Sequence, residues 1–163
     1  MLRKLAVVAT VLGLLGLTVS IISPAVSDSR YEERTIRLAE KFSDDDETFV
    51  DVGDKDFSAG DYFVFGNDPV YNRARTKQRG TASGSCMAVA IEGQSASVEC
   101  DVSFYLEGGS LTVEGGLEDS DQGPEFFAPF AVTGGTDDYK SAHGTLEIGE
   151  EADGLTFTFK LLL

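Results

Sequence analysis

Histidine, tryptophan and basic side chains are scarce in this chain. One histidine, His143, and two cysteines occur among 163 residues, and tryptophan is absent. With a single imidazole and two thiols, most metal sites built from those ligands are excluded, and neither a metal nor a cofactor is expected. Lys and Arg together number 13 against 28 Asp and Glu, a formal net charge of −15. A surface that acidic repels phosphate backbones, which sets nucleic acid aside as a partner. There is no Gly-x-Ser-x-Gly elbow. A serine triad would have to use His143, with no motif marking its other members, so His143 reads as a structural or surface residue. The acidic stretch opening Asp54-Lys55-Asp56 starts like a calcium loop. However, Ala59 stands at the sixth position and Phe65 at the twelfth, where that geometry needs Gly and Glu.

Long hydrophobic runs are also missing, with one exception. Met1-Leu2-Arg3-Lys4 precedes an uncharged run from Leu5 to Ile22, and Pro24-Ala25-Val26-Ser27 follows. Two basic residues, an apolar stretch and small residues at 25 and 27 read as a secretory signal peptide over residues 1–27. The run spans 18 residues and carries Gly13, Gly16, Thr10, Thr18 and Ser20. That is the lower limit for crossing a bilayer, so a retained membrane anchor is the alternative, and membrane association is expected only in that case. Either way the rest of the chain faces outside the cell. Cleavage after Ser27 leaves 136 residues with 11 basic and 28 acidic side chains, a net charge of −17.

Export makes a disulfide the default for Cys86 and Cys100. Around a turn at Glu92-Gly93-Gln94, residue 91 would pair with 95 and 86 with 100. Two cysteines directly opposite on antiparallel strands can bridge.

The 18 glycines and 11 phenylalanines suggest many tight turns between apolar strands. Residues 28–34 are polar and read as a flexible N-terminal segment. From Thr35 onward, short alternating runs recur. These are Thr35–Ala39 (where helix-favouring residues compete), Phe49–Val52, Tyr62–Phe65, the hairpin of 80–90 with 95–106, Leu111–Glu114, Phe126–Val132, Gly144–Ile148 and Leu155–Leu163. About eight strands at this spacing predict an all-β barrel or sandwich over residues 35–163. A chain that ends on a strand suits a closed barrel, whose last strand pairs with its first. Gly66-Asn67-Asp68-Pro69 reads as a turn. Arg73, Arg75, Lys77 and Arg79 fall on alternate residues. On a strand they would share a face, either balanced by nearby acids or open to an anionic ligand.

The stretch Gly60-Asp61-Tyr62-Phe63-Val64-Phe65-Gly66-Asn67, with Val70-Tyr71, the segment from Gly80 to Cys86, and Ser103–Leu106 through Val113-Glu114-Gly115, resembles allene oxide cyclase. Phe130-Ala131-Val132-Thr133-Gly134-Gly135-Thr136, with Tyr139, Ala142 and Gly144, resembles a segment shared in outline by allene oxide cyclases and dirigent proteins. The resemblance spans about residues 35–150. It implies an eight-stranded antiparallel β-barrel, often assembled as a homo-oligomer (here a trimer or dimer), with an apolar cavity for a reactive small molecule. The plant cyclase steers ring closure of a fatty-acid epoxide, and dirigent proteins orient phenoxy radicals; both act largely by positioning. By resemblance Asn67 matches the cyclase Asn that helps hold a water. Glu40, with Glu33 behind it, is the candidate for the glutamate of the first strand. Phe63 and Phe65 match cavity positions, and Val98, Phe104 and Leu117 are expected to line the same cavity. Cys86 matches a cavity cysteine, but its bridge to Cys100 removes the thiol, and the cyclase's proline beside the water has no counterpart. The function implied is a secreted barrel that steers cyclisation or coupling of a small apolar molecule. The alternatives are a non-catalytic extracellular barrel that binds a lipid or metabolite, and a barrel filled by its own phenylalanines.

Overall fold

The computed structural model describes residues 31–42, 47–53, 57–93, 95–119, 125–126 and 129–163. The signal peptide expected over 1–27 lies outside them. Ten strands follow one another: β1 (Glu33–Glu40), β2 (Glu47–Val50), β3 (Tyr62–Asn72), β4 (Gln78–Glu92), β5 (Ser95–Leu106), β6 (Gly109–Asp119), β7 (Glu125–Phe126), β8 (Phe130–Gly135), β9 (His143–Glu151) and β10 (Gly154–Leu162). Among the described residues a single 3-10 turn, Asp137–Tyr139, precedes β9.

Eight of these strands close an antiparallel barrel. The order round the wall is β1, β10, β9, β8, β6, β5, β4, β3, and β3 returns to β1 through Leu38–Asn72, Ala39–Tyr71 and Glu40–Val70. The last strand pairs with the first, from Glu33–Leu162 to Ala39–Thr156. Glu32 and Leu163 extend that ladder by exchanging backbone hydrogen bonds of 3.1 and 3.0 Å. Of the segment 28–34 read as flexible, residues 31–34 are described, and Glu33 and Arg34 are ladder members because β10 offers them partners. β2 runs along the other half of β3, from Glu47–Phe65 to Val50–Tyr62, and β7 adds a short patch to β6.

Alternation decides which side faces in. On β10, Phe157, Phe159 and Leu161 are buried, while Lys160 between them is exposed; on β5, Val98, Cys100 and Phe104 are buried, with Glu99, Asp101 and Tyr105 outside. The interior is therefore apolar and the exterior charged, the reverse of a barrel whose outer wall faces lipid. One end of the interior is solidly packed. Leu38, Leu111, Phe159, Leu161, Tyr139 and Ala142 belong to a single buried cluster, and the Tyr139 hydroxyl donates to the Glu107 carbonyl across that end. Phe104 bridges this plug to the space beyond it, meeting Phe159 and Phe157 edge-on at ring distances of 5.0 and 5.2 Å.

Several register shifts interrupt the ladders, and two of them, at Asn67 and near Val89, bear on the site. Gly66 to Pro69 is no turn. β3 runs straight through it, with Asn67 left over between the pairs Gly66–Ser83 and Asp68–Ala82. Asn67 takes a positive φ of 64°, a conformation Asn tolerates better than most residues. In the β4–β5 hairpin, Glu92 pairs with Ser95 and Ile91 with Ala96, one residue off the expected register. A bulge between Ala88 and Ala90 then restores the register so that Cys86 faces Cys100. Their disulfide is formed.

Three of the four basic residues expected to stripe a strand, Arg73, Arg75 and Lys77, occupy a turn instead, and Arg79 lies on β4. β3 ends at Asn72, and residues 73–77 form the connection to β4, where the Asn72 side-chain oxygen accepts from the N–H groups of Thr76 and Lys77. Acids balance them. Arg73 and Arg75 both pair with Glu151, Arg75 also with Asp153 at 3.3 Å, and Arg79 with Glu107 at 3.7 Å. The Arg75 side chain is only 11% exposed and donates to the Glu40 and Leu155 carbonyls. It ties the β3–β4 turn to the end of β1 and to the β9–β10 turn.

Candidate functional site

Beyond the packed end the barrel holds a cavity of about 370 Å³, within the size range of small-molecule sites. A barrel filled by its own side chains is thereby corrected: the phenylalanines line the space and do not fill it. Phe63, Phe65, Val98, Phe104 and Leu117 are on its wall, as are Phe130, Phe157 and the Cys86–Cys100 disulfide. Phe63 carries the aromatic wall outward, with its ring 5.2 Å from Phe49 and 5.9 Å from Phe57, both of which reach the surface.

Wall shape depends on a glycine. A Cβ on Gly115 would lie 2.2 Å from the Phe130 ring. The ring can therefore lie flat against β6 only because that position has no side chain.

Two carboxylates reach this apolar space. Glu40, the last residue of β1, and Asp68, just past the β3 bulge, are the charged groups among the described residues that line it. Glu40 lies opposite Val70, and Asp68 is two positions along β3. They are diagonal neighbours on one face, a relation that puts Cα atoms about 7–8 Å apart. Asp68 is 7% exposed. Glu33, the second choice for the first-strand glutamate, sits exposed at the far end of β1 opposite Leu162.

Asn67 is not on that wall. It is exposed, and its backbone N–H donates to the Ser83 hydroxyl at 3.0 Å. The bulge is the physical reason: one extra residue in β3 turns Asn67 outward and delivers the next residue, Asp68, to the interior. Sequence reasoning missed Asp68 because Asn-Asp-Pro reads as turn chemistry. His143 is exposed too, its ring edge-on to Tyr31 at 5.0 Å.

Among the described residues Asp61 is the other buried carboxylate, at 0% exposure. Its oxygens accept from the Val52 N–H at 2.8 Å, the Ser58 N–H at 2.7 Å and the Ser58 hydroxyl at 3.1 Å. The Val52 hydrogen bond is the largest influence and, with those from Ser58, holds its carboxyl below the ordinary aspartate value against the opposing effect of burial. Asp61 thus pins the segment before β3, which carries Phe57 to Phe63.

Comparison with protein-family models and with curated proteins finds no match. Among solved structures, pyocyanin demethylase is similar at a TM-score of 0.61 and 23% identity, over 78% of this chain and 99% of its own. The likeness is one of fold. It extends over the whole of that barrel protein, whose name describes the modification of a small molecule.

Proposed function

We propose that the chain binds a small, mostly apolar molecule in its barrel cavity and steers a rearrangement of it, such as cyclisation or coupling. In this reading the walls set the molecule's conformation and Glu40 moves a proton. The observation that carries it is the pairing of an apolar cavity with two carboxylates at one point on its wall. Apolar walls hold a ligand in a reactive shape, and a carboxylate out of bulk water is suited to general acid or base work. Further support is the likeness of fold to a protein named for demethylating pyocyanin, although a shared fold alone does not assign a reaction. The resemblance to allene oxide cyclase and dirigent segments points the same way. Export belongs to the same proposal and is supported by the disulfide, which suits an oxidising compartment. Among the described residues no helix is long and apolar enough to cross a membrane. Assembly as a dimer or trimer rests on the resemblance alone; light scattering of the purified protein reads it directly.

A non-catalytic binding barrel is the second reading. It is favoured by the exposed Asn67 and by the disulfide, which leave the wall without the amide and thiol of the cyclase pattern. Native mass spectrometry of the full-length protein from its own source separates the two. A bound species chemically altered by wild type, and carried unaltered by Glu40→Gln, is the expected result. One unaltered species in both proteins supports the binder, and an empty barrel in both overturns the site.

A further inference from the structure

The aromatic wall of the cavity does not stop at the edge of the barrel. Phe63 lines the cavity. It pairs with Cys86 of β4 on one side and with Phe49 of β2 on the other. Residues directly opposite on paired strands share a face, so β2 continues the inner surface of the wall one strand further out. Phe57 completes a triangle. Its ring lies 5.8 Å from Phe49 and 5.9 Å from Phe63, and Phe49 lies 5.2 Å from Phe63. Phe49 is nevertheless 44% exposed and Phe57 36%. Adjoining rings left partly in water make a contiguous apolar patch, which marks a contact site where a lone exposed ring would not.

The patch is also held in place. Buried Asp61 accepts from the Val52 N–H, two residues past the end of β2, and from the N–H and hydroxyl of Ser58, the neighbour of Phe57. The backbone at Asp61 is fixed in turn to β4. The Gly60 N–H donates to the Ala88 carbonyl and the Ala88 N–H to the Asp61 carbonyl, each at 2.8 Å. A carboxylate out of water is costly unless its oxygens are met. Here the groups that meet it are those that set the chain beside Phe49 and Phe57. Rings fixed before a ligand arrives lose little freedom on binding it.

We propose that Phe49, Phe57 and Phe63 form an outer subsite at the cavity mouth, and that the ligand has two apolar parts. One sits in the barrel, and the second, a ring, lies against these three side chains. Aromatic rings favour offset or edge-to-face contacts at centroid distances of roughly 4.5–7 Å, and the triangle presents such contacts from two strands and a loop. The subsite rests on the cavity being the binding site, and adds to that reading the length of the ligand.

Two probes test it: 1-methylnaphthalene, a single apolar part, and 1-(3-phenylpropyl)naphthalene, which adds a second ring on a short linker. Each is titrated into full-length protein and followed by naphthalene fluorescence, with no tryptophan to mask it. The longer probe is expected to bind about tenfold or more tightly, the gain from seating one further ring among aromatic side chains. The double variant Phe49→Ser and Phe57→Ser is expected to lose most of that gain while its affinity for 1-methylnaphthalene stays within about twofold of wild type. A longer probe that binds no more tightly than the short one, or a gain that survives in the variant, overturns the subsite and leaves the cavity reading standing. Failure of both probes to bind wild type overturns both. Light scattering adds a further arm: an oligomer that comes apart in the double variant would assign the rings to a second copy of the chain and overturn the subsite. Where the double variant does not fold, Phe57→Ser alone, at a ring outside any strand, decides by the same comparison of probes.

Discussion

A carboxylate removed from solvent is tolerated only where its oxygens are met, and Asp61 shows how one side chain can hold a loop. Three hydrogen bonds from Val52 and Ser58 reach it, and its carboxyl is held below the ordinary aspartate value of 3.8. The consequence for stability has a definite sign. A group whose folded pKa is depressed stabilises the fold at pH above its unfolded value and loses that contribution as pH falls toward the folded one. Wild type is therefore expected to lose stability below about pH 4 partly through this residue. Asp61→Asn is expected to be less stable than wild type at neutral pH, with the gap closing as the solution is acidified. Thermal melts of both proteins between pH 7 and pH 3 check this; a gap that does not change with pH would remove the ionised carboxylate from the account. Phe57 and Phe63 should separate in the variant, because Asp61 pins the segment before β3.

At the scale of elements, the β4–β5 hairpin carries the clearest covalent constraint. The disulfide joins residues 14 apart, and closing a loop of that length contributes roughly 3 kcal/mol by the chain-entropy model. The double variant Cys86→Ser and Cys100→Ser is expected to lose about that much in chemical denaturation. A change below about 1 kcal/mol would mean that the ladder around the bridge already restricts the unfolded chain. This hairpin also marks where sequence reading succeeds and where it stops. The partnership of Cys86 with Cys100 was legible, because one turn separates the two strands and counting outward from it sets 86 opposite 100. The route to it was not. The real turn is shorter than expected, and the bulge near Val89 cancels the offset; a single extra residue leaves no periodic trace. Asn67 follows the same logic with a larger consequence. A bulge inside β3 looks like a turn when Asn, Asp and Pro stand together, so the sequence pattern does not show that Asp68, and not Asn67, faces the cavity. Glu40, Phe63, Phe65 and Phe104, named from resemblance and strand alternation, line the cavity, and their roles remain part of the proposal. The ion pairs of Arg73 and Arg75 with Glu151 were not legible, because only barrel closure brings β3 and β9 together.

At the scale of the whole molecule, the interior is divided between a packed plug and a cavity of about 370 Å³. Packing both ends would bury more apolar surface, and buried apolar contact is the main source of stability. Keeping one end open therefore trades stability for room, a pattern expected where the room is used. Ala82 offers a way to reverse the trade. It is 2% exposed, lines the cavity and pairs across the wall with Asp68 and Phe104. Ala82→Leu adds three carbons pointing into free space, so it avoids the crowding that usually penalises larger core residues. The variant is expected to melt a few degrees above wild type, corresponding to about 1 kcal/mol in a domain of this size. It should also bind 1-methylnaphthalene at least about tenfold more weakly, since the added side chain and the probe compete for one volume. Calorimetry measures both quantities on the same samples. A higher melting temperature with unchanged probe affinity would mean that the probe sits elsewhere. A lower melting temperature would mean that the wall around Ala82 is already closed against its neighbours. If stability rises while affinity falls, a single volume accounts for both effects, and that volume is the one bounded by Glu40, Asp68 and the phenylalanine walls.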